Sequence, residues 1–147
     1  MAKLDLSARD IYSACICLGV HRAARAVARR YDDVLRSIDL TSGQFSILSA
    51  LLGDKPTPIS ALADLLGLDR TTLNRNLRPL EGQKLVETVV DPDDRRVRGL
   101  RLTTEGRKRL ALAIPLWRTV QSDSTHRIGR SGWSELRPFL DALARPS

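Results

Sequence analysis

The sequence predicts a mainly α-helical protein that carries one small β-hairpin. Apolar residues recur at helical spacing in the first 40 residues and after residue 104, which indicates amphipathic helices in both regions. Between them, two short helical patterns meet at Gly67. Two strand-like segments, residues 85–90 and 97–102, then enclose a charged turn. Helix, tight turn, helix and hairpin in this order form the layout of a winged helix-turn-helix.

Length and composition fit a single domain of this kind. The chain has 147 residues, of which 42% are hydrophobic and 28% are charged, and this is enough for a core of its own. Its formal net charge of +7 favours a polyanionic partner. Residues 1–10 lack the apolar core of a signal peptide, and no apolar run is long enough to span a bilayer. We therefore expect no membrane partner and a bacterial, cytoplasmic location.

The flanking helices are predicted over residues 8–38 and 104–145, with Pro115 bending the second region. Their apolar faces are broader than the winged helix-turn-helix of residues 42–103 can cover. A second copy of the chain is expected to cover them, which predicts a homodimer with dimerisation helices at both ends. The alternative is that these helices fold back on their own domain. The apolar stripe of the first helix comprises Ile16, Val20, Ala23, Val27, Tyr31, Val34 and Ile38.

The second helix of the helix-turn-helix carries the side chains expected to read DNA. Leu73, Leu77 and Leu80 share one face and should turn to the core, while Asp69 is placed to cap the helix start. The opposite face offers arginine for guanine and asparagine for adenine, with no acid among them; a solvated surface helix is the alternative. Pro79 is expected to tilt this helix or end it early. The predicted DNA contacts are Arg70, Thr71, Thr72, Asn74, Arg75 and Arg78.

The turn of the hairpin combines acidic residues with arginines. Arg95 and Arg96 are predicted to contact a minor groove or a phosphate, and Asp94 is predicted to hold Arg96 in position. A salt-bridged surface loop is the alternative, and it competes well for Arg98 and Arg101.

These segments resemble the MarR family of bacterial transcription regulators over nearly the whole chain. The resemblance is carried by the sequences LTSGQF at 40–45, ISALA at 59–63, DPDDRR at 91–96 and LTTEG at 102–106. It implies dimers that bind near-palindromic operators in double-stranded DNA and usually repress. It also implies release when a phenolic ligand, an oxidant or a metal engages the region between the dimerisation and DNA-binding parts.

Two cysteines in the first predicted helix are candidate sensors. Cys15 and Cys17 point in different directions on a helix, so no disulfide between them is expected. Cys17 resembles the peroxidatic cysteine of the hydroperoxide-sensing branch of the family, and Tyr31 matches a tyrosine that supports that thiol. About 21 Å of helix separates the two, so only the partner subunit's Tyr31 could reach Cys17. His21 and Ser42 depart from that branch, which usually has tyrosines at both positions.

Other interpretations of this region stay open. Cys17 and His21 share a helix face and could form half of a metal site, but two ligands are too few, and no metal or cofactor is predicted. Both cysteines could instead be small core residues. A small aromatic or apolar acid could bind between the first helix and the winged domain. Its carboxylate would then meet one of three arginines in a helical stripe, Arg22, Arg25 or Arg29.

The predicted function is a sequence-specific, homodimeric DNA-binding transcriptional regulator, a repressor that a small ligand, such as an aromatic one, or an oxidant releases from its operator. The alternative is an architectural DNA-binding protein with little sequence preference, because charge alone gives non-specific affinity. An enzyme is not expected, since the chain has neither a glycine-rich phosphate loop nor a Gly-x-Ser-x-Gly motif.

Overall fold

The computed structural model describes residues 7–90 and 98–145. Within these ranges the chain is mostly helical and has one small antiparallel sheet, which confirms the predicted fold class. The helices are α1 (Ala8–Ala14), α2 (Ile16–Leu35), α3 (Ser42–Ala50), α4 (Ile59–Leu66), α5 (Arg70–Gly82), α6 (Thr104–Arg127) and α7 (Gly132–Ala144). The strands are β1 (Thr57–Pro58), β2 (Val86–Val90) and β3 (Arg98–Leu102).

The prediction of a single helix over residues 8–38 is wrong, because the helix is interrupted at Cys15. This residue has extended backbone angles (φ −76°, ψ 107°), ends α1 and caps α2. Its sulfur accepts a hydrogen bond from the amide of Leu18 at 3.4 Å. Cysteine is not among the residues that usually cap helices, so the sequence did not indicate the break. At its other end, α2 continues into a 3-10 turn, Arg36–Ile38.

The core lies where the helix-turn-helix meets the end of α2 and the start of α6. Leucines from all of these elements are buried and pack in one cluster. Full burial of one such side chain contributes about 1.5–3 kcal/mol, so this cluster holds the helix-turn-helix against the flanking helices. Its fully buried members include Leu35, Leu48, Leu62, Leu73, Leu85, Leu100 and Leu110.

The sheet has the order β1-β3-β2, and both pairings are antiparallel. The predicted hairpin is present, although β2 begins at Val86 rather than at residue 85; residue 97, where the second strand was predicted to begin, lies outside the described ranges. Strand β1, Thr57–Pro58, was not predicted from the sequence. It fits beside β3 because Gly99 has no side chain. A Cβ atom there would lie 2.6 Å from the Cβ of Pro56.

Two prolines lie inside helices. The early end expected at Pro79 is wrong, because α5 continues through this residue to Gly82. Pro79 has no amide hydrogen to donate to the carbonyl of Arg75, so one backbone hydrogen bond is missing at this turn. Helix α6 also continues through Pro115 and ends at Arg127.

A large apolar surface is left uncovered on the flanking helices. Neither α1 nor α7 buries a single residue. An apolar surface of this extent marks a site of interaction. In the described part of the chain, no helix is long and apolar enough to cross a membrane. The exposed large apolar side chains of α1, α2 and α7 are Ile11, Tyr12, Ile16, Val20, Val27, Trp133, Leu136, Phe139 and Leu143.

Candidate nucleic-acid interface

The turn between α4 and α5 is built on Gly67 and two backbone hydrogen bonds. Gly67 lies in the left-handed region (φ 61°, ψ 33°), which glycine adopts without strain. The amide of Leu68 donates to the carbonyl of Ala63 at 2.9 Å, and the amide of Gly67 donates to that of Asp64 at 3.2 Å. This pair of bonds is a Schellman motif, which closes the end of α4.

Asp69 starts α5 as its N-cap, as the sequence predicts. One carboxylate oxygen accepts the amide of Thr72 at 2.8 Å, and the other accepts the Thr72 hydroxyl at 2.7 Å. These hydrogen bonds to Thr72 hold the pKa of Asp69 below its ordinary value. The start of α5 is therefore fixed by a charged cap at neutral pH.

Helix α5 presents its two faces as predicted. Leu73, Leu77 and Leu80 are buried in the core. Thr72 is half-buried, and its hydroxyl is bonded to Asp69, so its methyl group is the part left to contact a base. The other predicted DNA contacts on this helix are exposed: Arg70, Thr71, Asn74, Arg75 and Arg78.

Asn76 is a residue that the sequence analysis did not single out. Its side chain is half-buried between α5 and α3. The Nδ2 atom donates to the carbonyl oxygen of Thr72 at 2.9 Å. The Oδ1 atom lies 3.2 Å from the position of a Cβ atom built on Gly43. The helical pattern gave no reason to choose Asn76, because its role depends on a neighbouring helix.

One arginine of the wing strands, Arg101, forms an ion pair across the hairpin. The Nε atom of Arg101 donates to a carboxylate oxygen of Glu87, directly opposite on β2, at 2.7 Å. This is the surface ion pair offered as the alternative role for Arg101. Arg98 is exposed at the start of β3. The predicted wing residues Asp94, Arg95 and Arg96 lie outside the described residues, so their roles stay predictions.

An apolar groove lies between α2 and the winged part of the molecule. Its volume is 680 Å³, within the range of small-molecule sites. The rings of Phe45 and Trp117 stack on one side of it, with centroids 6.3 Å apart and planes at 23°. The groove is lined by Gly19, Val20, Ala23, Ala24, Val27, Ala28, Tyr31, Ser42, Gly43, Phe45, Ser46, Trp117, Trp133, Leu136 and Leu140.

A smaller side compartment of 350 Å³ adjoins this apolar groove. The two share Ala23, Val27, Tyr31, Trp133 and Leu136. Unlike the groove, the mainly apolar side compartment has arginine and glutamine side chains in its lining. Its polar lining residues are Arg30, Gln121, Ser124, Thr125 and Arg127.

Tyr31 lies where the groove and the side compartment meet. Its hydroxyl donates to the side-chain oxygen of Gln121 in the same chain. Burial raises the pKa of Tyr31, and the neighbouring Ser124 side chain opposes the rise. Cys17 is exposed, two residues before the groove lining begins at Gly19.

The two cysteines are not core residues of the single chain. Cys15 is half-buried and Cys17 is exposed, so the interpretation of both as small core residues is wrong for the chain taken alone. Among the described residues, no group of three or more His, Cys, Asp and Glu side chains is placed to hold a metal ion.

The predicted arginine stripe does not line the apolar groove. Arg22, Arg25 and Arg29 line a neighbouring surface of α2, which shares only Gly19 and Ala23 with the groove. The guanidinium of Arg22 lies 4.8 Å from the centre of the Tyr12 ring, on the α1 side. The rotation of α2 about its axis thus turns these arginines away from the groove, and the expectation that they face a groove ligand is wrong. The arginines of the side compartment, Arg30 and Arg127, were missed.

This geometry defines a DNA-binding protein of the winged helix-turn-helix class. Its elements are the Schellman turn, the capped α5 with its basic exposed face, and the antiparallel hairpin. Residues 38–97 match the sequence profile of the MarR family. The transcriptional regulator HosA of Escherichia coli O111:H- is 36% identical over 108 residues, which cover 73% of this chain and 77% of HosA. The chain belongs to the MarR family of transcriptional regulators, as its sequence motifs predicted.

Solved structures of DNA complexes share this fold over most of the chain. The transcriptional regulator MosR of M. tuberculosis, in complex with DNA, is 37% identical; the match covers 88% of this chain and 93% of MosR, with a TM-score of 0.77. The transcriptional repressor CouR, bound to a 23-mer DNA duplex, is 30% identical; the match covers 98% and 100% of the two chains, with a TM-score of 0.79. These relatives are regulators rather than enzymes.

Proposed function

We propose that this protein is a homodimeric repressor that binds a near-palindromic operator and leaves it when a small molecule occupies the apolar groove. The observation that carries the DNA-binding part is the exposed face of α5. Arg70, Asn74, Arg75 and Arg78 lie exposed there with no acidic residue among them. A basic helix face next to an antiparallel hairpin fits the major groove with the hairpin beside it.

Each side chain of this face has a chemical role in the proposal. Arginine makes two hydrogen bonds to guanine and asparagine makes two to adenine, and each such pair discriminates against a wrong base by about 1–3 kcal/mol. The wing arginines Arg95 and Arg96 would contact the adjacent minor groove or a phosphate, with Asp94 holding Arg96. Since α5 is anchored at Asp69 and by its buried leucines, these contacts come from a rigid element.

The exposed apolar surface of α1, α2 and α7 supports the homodimer. Covering it with a second copy would remove many large apolar side chains from water at once. A two-fold axis between the copies would place two α5 helices in successive major grooves, about 34–36 Å apart. The operator would then carry the same two-fold symmetry. Such a dimer would act on the chromosome, in the bacterial cytoplasm.

The apolar groove supports a small aromatic acid as the effector. Its ring would pack beside Phe45 and Trp117, which already stack on each other. Its carboxylate would point into the side compartment, toward Arg30 and Arg127. The groove lies between α2 and α3, so an occupant would act on the joint between the flanking helices and the DNA-reading unit.

Oxidation of Cys17 is a second candidate input, favoured by the exposure of this thiol. Tyr31 lies about 21 Å along the same helix, and its hydroxyl is bonded to Gln121. A supporting role would therefore require the partner subunit's Tyr31. Treatment with cumene hydroperoxide should abolish operator binding by the wild type and not by Cys17→Ser. Equal behaviour of the two proteins would remove Cys17 from the mechanism.

The experiment that tests the proposed function is a titration onto a labelled duplex from the region upstream of the gene, with unrelated DNA as competitor. A repressor should prefer its operator at least about a thousandfold. Its complex should contain two chains, as measured by light scattering. Equal displacement by any DNA would show the architectural alternative, in which the positive charge alone provides the affinity.

A further inference from the structure

We infer that Asn76 is a positioning residue that couples the wall of the apolar groove to the first turns of the DNA-reading helix α5. The inference rests on the proposed function, since it names the contact through which the groove would act on DNA binding. It is carried by the packing of Asn76 against Gly43.

On the groove side, the start of α3 is tied to α2. The amide of Ser42 donates to a carboxylate oxygen of Asp32, on α2, at 2.6 Å. Thr41 and Gln44 form a capping box, with bonds of 2.9 and 3.2 Å between each backbone amide and the other side chain. Because Gly43 lies inside this fixed turn and lines the groove, a movement of α2 would carry Gly43 with it.

On the DNA side, Asn76 continues the connection into α5. Its Nδ2 atom donates to the carbonyl of Thr72, and the hydroxyl of Thr72 donates to the Asp69 cap. The exposed Asn74 and Arg75 lie between Thr72 and Asn76 in the sequence. Three successive contacts therefore lead from the groove wall to the start of the helix that carries the predicted base contacts.

The absence of a side chain at position 43 sets the geometry of this contact. A Cβ atom there would lie 3.2 Å from Oδ1 and 3.6 Å from Cγ of Asn76. The distance to Oδ1 is shorter than an ordinary packing contact, so Asn76 would have to move by a few tenths of an ångström. Its hydrogen bond to Thr72 would lengthen. Gly43→Ala therefore imitates a small displacement of the groove wall toward Asn76 on α5.

Gly19→Ala is a matched control for this substitution. Gly19 also lies in a helix and lines the same groove. Among the described residues, a Cβ atom at this position would meet nothing within 4 Å. The two variants thus add the same methyl group to opposite walls of the groove, and only one methyl group presses on Asn76.

The test is a double-mutant cycle on the affinity for the upstream duplex. Gly43→Ala should weaken binding about fivefold or more, the lower range of measured coupling between sites, while Gly19→Ala should weaken it less. In the Asn76→Ala background, Gly43→Ala should cause no further loss, because the side chain that it displaces is gone. Leucine has a side chain similar in shape to that of asparagine but no hydrogen-bond donor. Asn76→Leu should therefore weaken binding to the duplex without opening a cavity.

The outcomes separate the inference from the proposed function. Equal losses from Gly43→Ala in both backgrounds would overturn the inference, because the effect would then not pass through Asn76. Unchanged binding by folded Asn76→Leu would also overturn it. Circular dichroism and thermal unfolding identify a variant that fails to fold. If Asn76→Ala fails to fold, the affinity of Asn76→Leu for the duplex decides whether the inference holds. Failure of the wild type to prefer its upstream duplex would refute the proposed function instead.

Discussion

The guanidinium of Arg109, on α6, donates a hydrogen bond to the carbonyl oxygen of Ile38 at 2.8 Å. The same nitrogen lies 3.3 Å from the side-chain oxygen of Gln83, the residue that caps the end of α5. Ile38 ends the 3-10 turn that follows α2, where a carbonyl has no donor within the helix. One side chain thus connects both flanking helices with the end of the DNA-reading helix.

Replacing Arg109 by methionine should lower the free energy of unfolding by about 1–2 kcal/mol, because a half-buried carbonyl loses a charged donor. Urea denaturation monitored by circular dichroism measures this. Arg107→Met is the matched control on the same helix. Arg107 is exposed and lies 3.9 Å from an exposed carboxylate of Asp54, so its loss should stay within about 0.5 kcal/mol. Equal losses for the two variants would contradict a structural role for Arg109.

The cap of α5 should make stability depend on acid pH. Hydrogen bonds to Thr72 lower the pKa of Asp69, so its carboxylate is favoured in the folded state. Its contribution to stability is present above the ordinary aspartate pKa, about 3.9, and is lost as the pH falls through the lowered value. Asp69→Ser keeps a cap that does not titrate.

We therefore expect wild type to unfold at a higher temperature than Asp69→Ser at neutral pH. The difference should shrink as the pH falls below about 3.9. Comparing the two proteins cancels the titration of the other carboxylates. A difference that stays constant with pH would show that the Asp69 charge is not coupled to folding.

Substituting an exposed arginine of α5 should weaken operator binding more than substituting an arginine of the wing strands. Arg75→Gln should weaken operator binding about tenfold or more and relax specificity at one base pair, because a guanine would lose a two-pronged donor. Arg101→Gln should change the affinity by less than about threefold, since Arg101 is engaged with Glu87. Binding assays over a set of single-base operator variants measure both effects. A larger effect at Arg101 would move the DNA-reading surface from α5 to the sheet.

The apolar groove should report its own occupant by fluorescence. Both tryptophans of the chain, Trp117 and Trp133, line it. We expect benzoate to change their emission and to weaken operator binding. The neutral benzamide should need a concentration at least about tenfold higher for the same effects, because its amide carries no charge and cannot form a charge-assisted hydrogen bond with an arginine.

Substitutions should locate the carboxylate of the same ligand. Arg127→Gln and Arg30→Gln should raise the benzoate concentration needed for half-maximal fluorescence change, while Arg29→Gln should not. Arg29 lines the neighbouring surface of α2 and neither the groove nor the side compartment. The reverse result would return the anion site to the stripe that the sequence first suggested.

The DNA-reading unit was largely predictable from the sequence because its determinants are local. Gly67 provides a left-handed turn, Asp69 caps the next helix, and the leucine spacing of α5 fixes which face is buried. Each of these follows from the chemistry of a few neighbouring residues. The family motifs add agreement over most of the chain.

The features that the sequence did not predict depend on contacts between distant segments. Strand β1 exists because Gly99 lets Pro56 approach β3, and no pattern of two residues could indicate that pairing. The arginines that face the side compartment are set by the rotation of α2 against α6, which helical periodicity leaves undetermined. Asn76 likewise acquires its role from Gly43, more than thirty residues earlier.

The isolation of α1 has a consequence for how the protein responds to dilution. This helix has seven residues, none of them buried, and helices shorter than about 12–15 residues are marginal on their own in water. Its order should thus depend on a surface supplied by another chain. By mass action, that order becomes a function of protein concentration. A trace of protease should therefore cut first near Cys15 in dilute samples, and concentrated samples should resist it.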